Sequence, residues 1–221
     1  MRLHHLLLWL MMVIVLMACT PSPNLRDETF LDDTSLISGD PCEAPCWQNM
    51  IPGETLWGVA QETLTTLEGY VEVDNQVIRR TGEAWIEFAF QDGLKCCRIY
   101  SADGETLTSI LLLLSPQMQV ADVIERFGEP RYMTAQAETS DQAYVALLYP
   151  DTPMLIYAFA ENITDSEING DNDVIGLVYM STQEMETLLQ MQNLYDWNGY
   201  GVLGDMLDGI FDVTPVPQTE S

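Results

Sequence analysis

Four cysteines and one acidic loop are the residues whose types and spacing could do chemistry. Cys42 and Cys46 stand in "PCEAPCW", and Cys96 and Cys97 in "LKCCRIY". If the chain is exported, an even number of such cysteines reads as a disulfide framework, and three pairings are open. Adjacent residues of a strand point to opposite faces. The expectation is therefore two bridges from the Cys42/Cys46 segment to the Cys96–Cys97 strand. A Cys₄ zinc site is the competing reading, but the C-x₂-C knuckles of such sites are missing. The loop "DSEINGDNDVIG" spaces Asp165, Glu167, Asn169, Asp171 and Asp173 like the odd-numbered ligands of a calcium loop, with Gly170 at the turn position. Gly176 occupies the place of the closing bidentate glutamate. A plain acidic hairpin is thus the expected reading, with no cofactor, and weak calcium binding is the alternative.

Export is decided by the first residues. "MRLHH" is followed by an apolar run over 6–18. That run is too short for a spanning helix, which needs about 20 residues. A charged start, a short apolar middle and a small residue before a cut describe a signal peptide. The sequence "LMAC" resembles a bacterial lipobox, with Leu16 at −3, Ala18 at −1 and Cys19 at +1. The resemblance implies that the Cys19 thiol receives a diacylglyceryl group and that cleavage falls just before it. The expected location is the extracytoplasmic face of the cell membrane, held by the lipid.

Removal of the leader also removes both histidines, His4 and His5, and Arg2. Seven basic residues then face 34 acidic ones, a balance of −27, and Lys95 is the only lysine. Such acidity excludes nucleic acid, which is bound by basic patches on phosphate. It favours solubility or a basic partner. Without histidine, Ser-His-Asp and Cys-His catalysis and His-ligated zinc have no residues to work with. Composition leaves two-carboxylate hydrolysis open, but no spacing singles out a pair.

The elements that would position these residues follow from periodicity and turn signals. Residues 19–40 are polar and proline-rich and are expected to be a flexible tether. A first unit is expected over 41–115. It has a helix in "IPGETLWGVAQETLTTLEGY", capped by Thr55 and facing inward with Val59, Leu64 and Leu67. The strands "YVEVDNQVI", "AWIEFAF", "LKCCRIY" and "TLTSILLLL" follow, and the last reads as buried on both faces. A second unit is expected over 116–195. Its helix uses Val120, Val123, Ile124 and Phe127 and stops at Gly128. Strands "AYVALLYP", "MLIYAFA" and "VIGLVYMS" and a closing helix "TQEMETLLQMQN" complete it. Residues 196–221 form a packing segment and a frayed tail. The predicted fold class is α+β: two tandem units of a short helix and an antiparallel β-meander, with the helices packed on sheet.

"VADVIERFGEPRYM", "LLYPDTPMLIYAFA" and "IGLVYMS" resemble the pattern of small bacterial lipoproteins of the BamE-like kind, and "IPGETLWGVAQETL" resembles their opening helix. Two such units in tandem resemble the β-lactamase-inhibitor-protein fold, over most of residues 47–181. The resemblance implies a non-enzymatic binding or assembly role. The partner would be an envelope protein or surface component, reached through a sheet face and loops, with membrane attachment through the lipid alone. The alternative expectation is a calcium- or small-solute-binding lipoprotein using the 165–173 loop.

Overall fold

The computed structural model describes residues 24–91, 93–191 and 194–207. Eleven strands and five short helices alternate in the order α1 (Ser35–Ser38), α2 (Trp57–Thr66), β1 (Tyr70–Val77), β2 (Ala84–Phe90), β3 (Cys97–Ser101), β4 (Ser109–Gln119), α3 (Val120–Phe127), β5 (Tyr132–Ala137), β6 (Ala143–Tyr149), β7 (Met154–Ala160), β8 (Glu167–Ile168), β9 (Asp173–Met180), α4 (Thr182–Met191), β10 (Tyr195–Asp196), β11 (Gly201–Val202) and α5 (Leu203–Leu207). Nine strands make one antiparallel sheet in the order β1-β2-β3-β4-β9-β7-β6-β5-β10, and β11 and β8 make a small second one.

This overturns the expected tandem α+β arrangement. The described residues are mostly antiparallel β, and their helices, none longer than ten residues, form no continuous layer. The reason lies in the middle of the sheet. A meander ending at β4 leaves a row of unpaired backbone groups, and so does one ending at β9; pairing the two edges satisfies both. β4 and β9 are in register from Ser109↔Met180 to Leu113↔Gly176. Gly176 permits the close approach, since a Cβ there would lie 2.9 Å from the Leu112 carbonyl oxygen.

The larger core lies on one face of the sheet. Ile86, Phe88, Ile99, Ile110, Leu112, Leu177 and Tyr179 pack there against Trp57, Ala60 and Leu64 of α2 and against Val120 and Val123 of α3. The inward face of α2 is therefore Trp57-Ala60-Leu64, and the predicted Val59 is exposed. Thr55 does not cap the helix; its hydroxyl accepts the Ile51 amide at 2.8 Å, and Leu56 precedes the first turn. α3 has a capping box in which Asp122 accepts the Gln119 amide, and it ends at Gly128. β4 alternates: Ile110, Leu112 and Leu114 are buried, whereas Leu111 and Leu113 are only half-buried. That differs from a strand covered on both sides. On the opposite face, α4 covers only the second half of the sheet, packing Met185, Leu188 and Leu189 over Ala146, Leu148, Leu155 and Met180.

The segment 24–40, expected to be a tether, is docked along its described length. Leu31 bridges to Leu114, Leu36 is buried, and Asp33 accepts the indole N–H of buried Trp47 at 2.8 Å. Trp47 in turn stacks on Phe88 at 5.9 Å. Asn24, Asp27 and Asp33 each accept the amide two residues further on, as turn residues do, so the polar composition hid the apolar anchors. The disulfides also differ from expectation. Cys42 pairs with Cys46, and Cys96 pairs with its neighbour Cys97. β3 begins only at Cys97, so the side-chain alternation of a strand does not apply to Cys96.

Candidate binding face

Because α4 stops at the second half of the sheet, the same face over β1–β4 carries no helix among the described residues. Side chains of β2, β3 and β4 meet there in fixed register. Trp85 stands beside Tyr100, Glu87 beside Arg98, and Arg98 beside Leu111. Trp85, Tyr100 and Leu111 are half-buried and belong to neither core. At their centre Glu87 accepts from Lys95 Nζ at 2.8 Å and from Arg98 Nε at 3.0 Å, with a second, shorter contact from Arg98 Nη2. The Glu87 side chain is 11% exposed, whereas those of Arg98 and Lys95 are 49% and 52% exposed. The hydrogen bonds from Lys95 and Arg98 hold the Glu87 carboxyl below its ordinary value. Burial raises the Tyr100 phenol, and the Glu83 carboxylate, 3.3 Å from its hydroxyl, raises it further.

A clamped carboxylate thus presents two cations outward, flanked by an indole, a phenol and an aliphatic side chain. Rigid aromatics and arginine are the side chains that dominate binding hot spots. Four of the eight basic residues of the chain, Arg79, Arg80, Lys95 and Arg98, belong to this first meander or its turns. Sequence reasoning passed over the cluster. Its signal was a lone charge, Glu87, inside "AWIEFAF", together with the only lysine three residues before an arginine.

The acidic loop lies elsewhere. Asp165, Glu167, Asp171 and Asp173 line an open cleft of about 570 Å³ with Arg26, Phe159 and Glu161. Arg26 pairs with Asp173 at 2.5 Å, and its guanidinium sits 5.2 Å from the centre of the Phe159 ring. Asn169 Oδ1 accepts the Asp171 amide at 2.8 Å, and Asn172 Oδ1 accepts the Asn169 amide at 2.7 Å. The loop polar groups therefore serve its own turn and the N-terminal segment. Among the described residues no three acidic, cysteine or histidine side chains are grouped to hold a metal ion. The five expected calcium ligands do not converge.

The other singled-out residues disperse. Trp47 and Trp57 are core residues. Tyr144 and Tyr157 form an edge-to-face pair at 5.2 Å on the α4 side of the sheet. Trp197 is buried and meets the exposed Tyr200 at 5.8 Å. Cys19 lies outside the described residues, within which no helix is long and apolar enough to cross a membrane. Comparison with family models, with curated proteins and with solved structures gives no match.

Proposed function

We propose that this protein is a non-enzymatic binding module of the cell envelope, lipid-anchored through Cys19 on the extracytoplasmic side. It engages an envelope protein or surface component through the open face of β1–β4. The observation that carries the reading is the placement of Trp85, Tyr100 and Leu111 outside both cores, around the Arg98–Glu87–Lys95 cluster. Aromatics left half-exposed on a rigid sheet lose little conformational entropy on binding, and they suit an interface better than they suit a solvated surface. The anchor fits this role. Four residues lie between Cys19 and Asn24, so five chain steps give a reach of at most about 18 Å. A short reach keeps the folded body near the bilayer and concentrates it against membrane partners.

A photoreactive amino acid at Trp85 or Tyr100, in the full chain expressed in its native cells, tests the reading. One dominant adduct is expected, weakened by Arg98→Ala and absent when the probe is moved to Glu186 on exposed α4. Equal adducts from both places, or none from the open face, would sink it. The same spectra read the anchor separately, as a diacylglyceryl mass on Cys19.

A further inference from the structure

We infer that the Cys96–Cys97 disulfide is a redox switch that sets how many cations the open face presents: two while the bridge is closed, one when a dithiol reduces it. Its bearing on binding rests on the proposed role of that face; the structural change itself does not. The bridge joins neighbours in the chain. Lys95 and Arg98, the two donors to Glu87, stand immediately on either side of it. In an uninterrupted strand, residues three apart face opposite sides. Lys95 and Arg98 nevertheless reach the same carboxylate, while Cys96 and Cys97 both pack into the larger core on the other face. The backbone there is irregular. The Cys96 amide donates to the Phe88 carbonyl at 3.3 Å, although the register partner of Phe88 is Cys97, so two residues of one strand oppose one of the other. Bonded sulfurs of adjacent residues must lie on one side of the chain. The disulfide therefore holds the bulge, and the bulge holds Lys95 on Glu87.

Opening the bridge is a local event. A disulfide stabilises by constraining the unfolded chain, more for longer loops, and this one spans a sequence separation of 1. Its loss leaves the global fold nearly untouched. Both cysteines are 3% exposed, so a thiol meets them when the strand end opens. Cys97 is the last paired residue of β3 toward both β2 and β4, and such ends open most readily. One thiolate of the dithiol attacks one sulfur and displaces the other cysteine as its thiolate; the second thiol of the reductant then resolves the mixed disulfide. Two electrons and two protons pass to Cys96 and Cys97, and the reductant leaves as its own disulfide. With the sulfurs separate, the end of β3 takes up ordinary alternation, which turns Lys95 away from Glu87. Arg98 stays, since the ladder sets its register with Glu87.

Lys95 is the only lysine, so acylation by an amine-reactive ester, read at that residue by mass spectrometry, reports the switch directly. The full chain carrying Cys42→Ser and Cys46→Ser keeps a single bridge. Dithiothreitol should raise its Lys95 acylation rate about two- to fivefold, as release from a half-exposed ion pair does, while near-UV circular dichroism shows the fold retained. The oxidised chain carrying Cys96→Ser and Cys97→Ser should show the faster rate without reductant. Should either pair of substitutions prevent folding, the other carries the test. Acylation needs no partner, so its outcome is separate from that of photocrosslinking at Trp85. A rate indifferent to reduction, a serine pair that behaves as the closed bridge, or a bridge that yields only when the whole chain unfolds would overturn the inference.

Discussion

At the scale of single residues, Glu87 organises the open face. Its folded-state carboxyl titrates below its ordinary value of 4.5 because Lys95 and Arg98 donate to it. A carboxyl lowered on folding contributes its full stabilisation above the unfolded value, and loses it as pH falls through the lower folded value. Glu87→Gln should therefore cost about 1–2 kcal/mol at neutral pH, less at high salt because both cations are half-exposed. The difference from the parent should shrink as pH falls below 4.5. Urea titrations at several pH values check this; a constant difference would contradict the linkage. Cysteine pairing is also read residue by residue. Trypsin cuts after Lys95 and after Arg98. A bridge between Cys96 and Cys97 should therefore release the tripeptide 96–98 from the non-reduced protein. Bridges to Cys42 and Cys46 would leave it tied to the peptide 27–79.

At the scale of elements, the turns hold the first meander in shape. Gly82, between β1 and β2, has φ of +85°, and a Cβ there would lie 2.6 Å from the Asp103 carbonyl oxygen in the β3–β4 turn. Two hairpin tips thus touch backbone to backbone. Gly82→Ala meets both a positive φ and a blocked contact, and should destabilise by about 1–3 kcal/mol in thermal or chemical unfolding. A neutral outcome would mean that the tips separate readily. The α3 capping box makes a smaller claim: Asp122→Ala should cost about 0.5–2 kcal/mol. The boundaries of α3 were legible because an apolar stripe, a stop at Gly128 and Pro130 all agree. α2 was harder to read, because Val59 and Ala60 are both apolar and only packing chose Ala60. β5 was missed since "YMTAQA" lacks the β-branched density of its neighbours.

At the scale of the molecule, the joint between β4 and β9 makes the two meanders one sheet with a core continuous across the joint. Unfolding should therefore be a single cooperative transition, with calorimetric and van't Hoff enthalpies equal. Leu112→Ala, at the centre of that joint, should lower stability by about 2–5 kcal/mol and keep the transition single. Two resolved transitions would show that the halves fold independently.

By itself the sequence determined the local and compositional features. These include the acidic charge, six of the nine main-sheet strands together with the region of β3, and the stop of α3 at Gly128. All are properties of short windows, where side-chain period and turn residues act on the adjacent backbone. Only the tertiary structure decided that the halves share one sheet, that 24–40 is docked, that Cys96 pairs with Cys97, and that Glu87, Lys95 and Arg98 meet on the open face. Those outcomes depend on which edges are left unpaired and which faces find a cover. That choice is made by backbone satisfaction and burial across many residues at once, and no short window contains it.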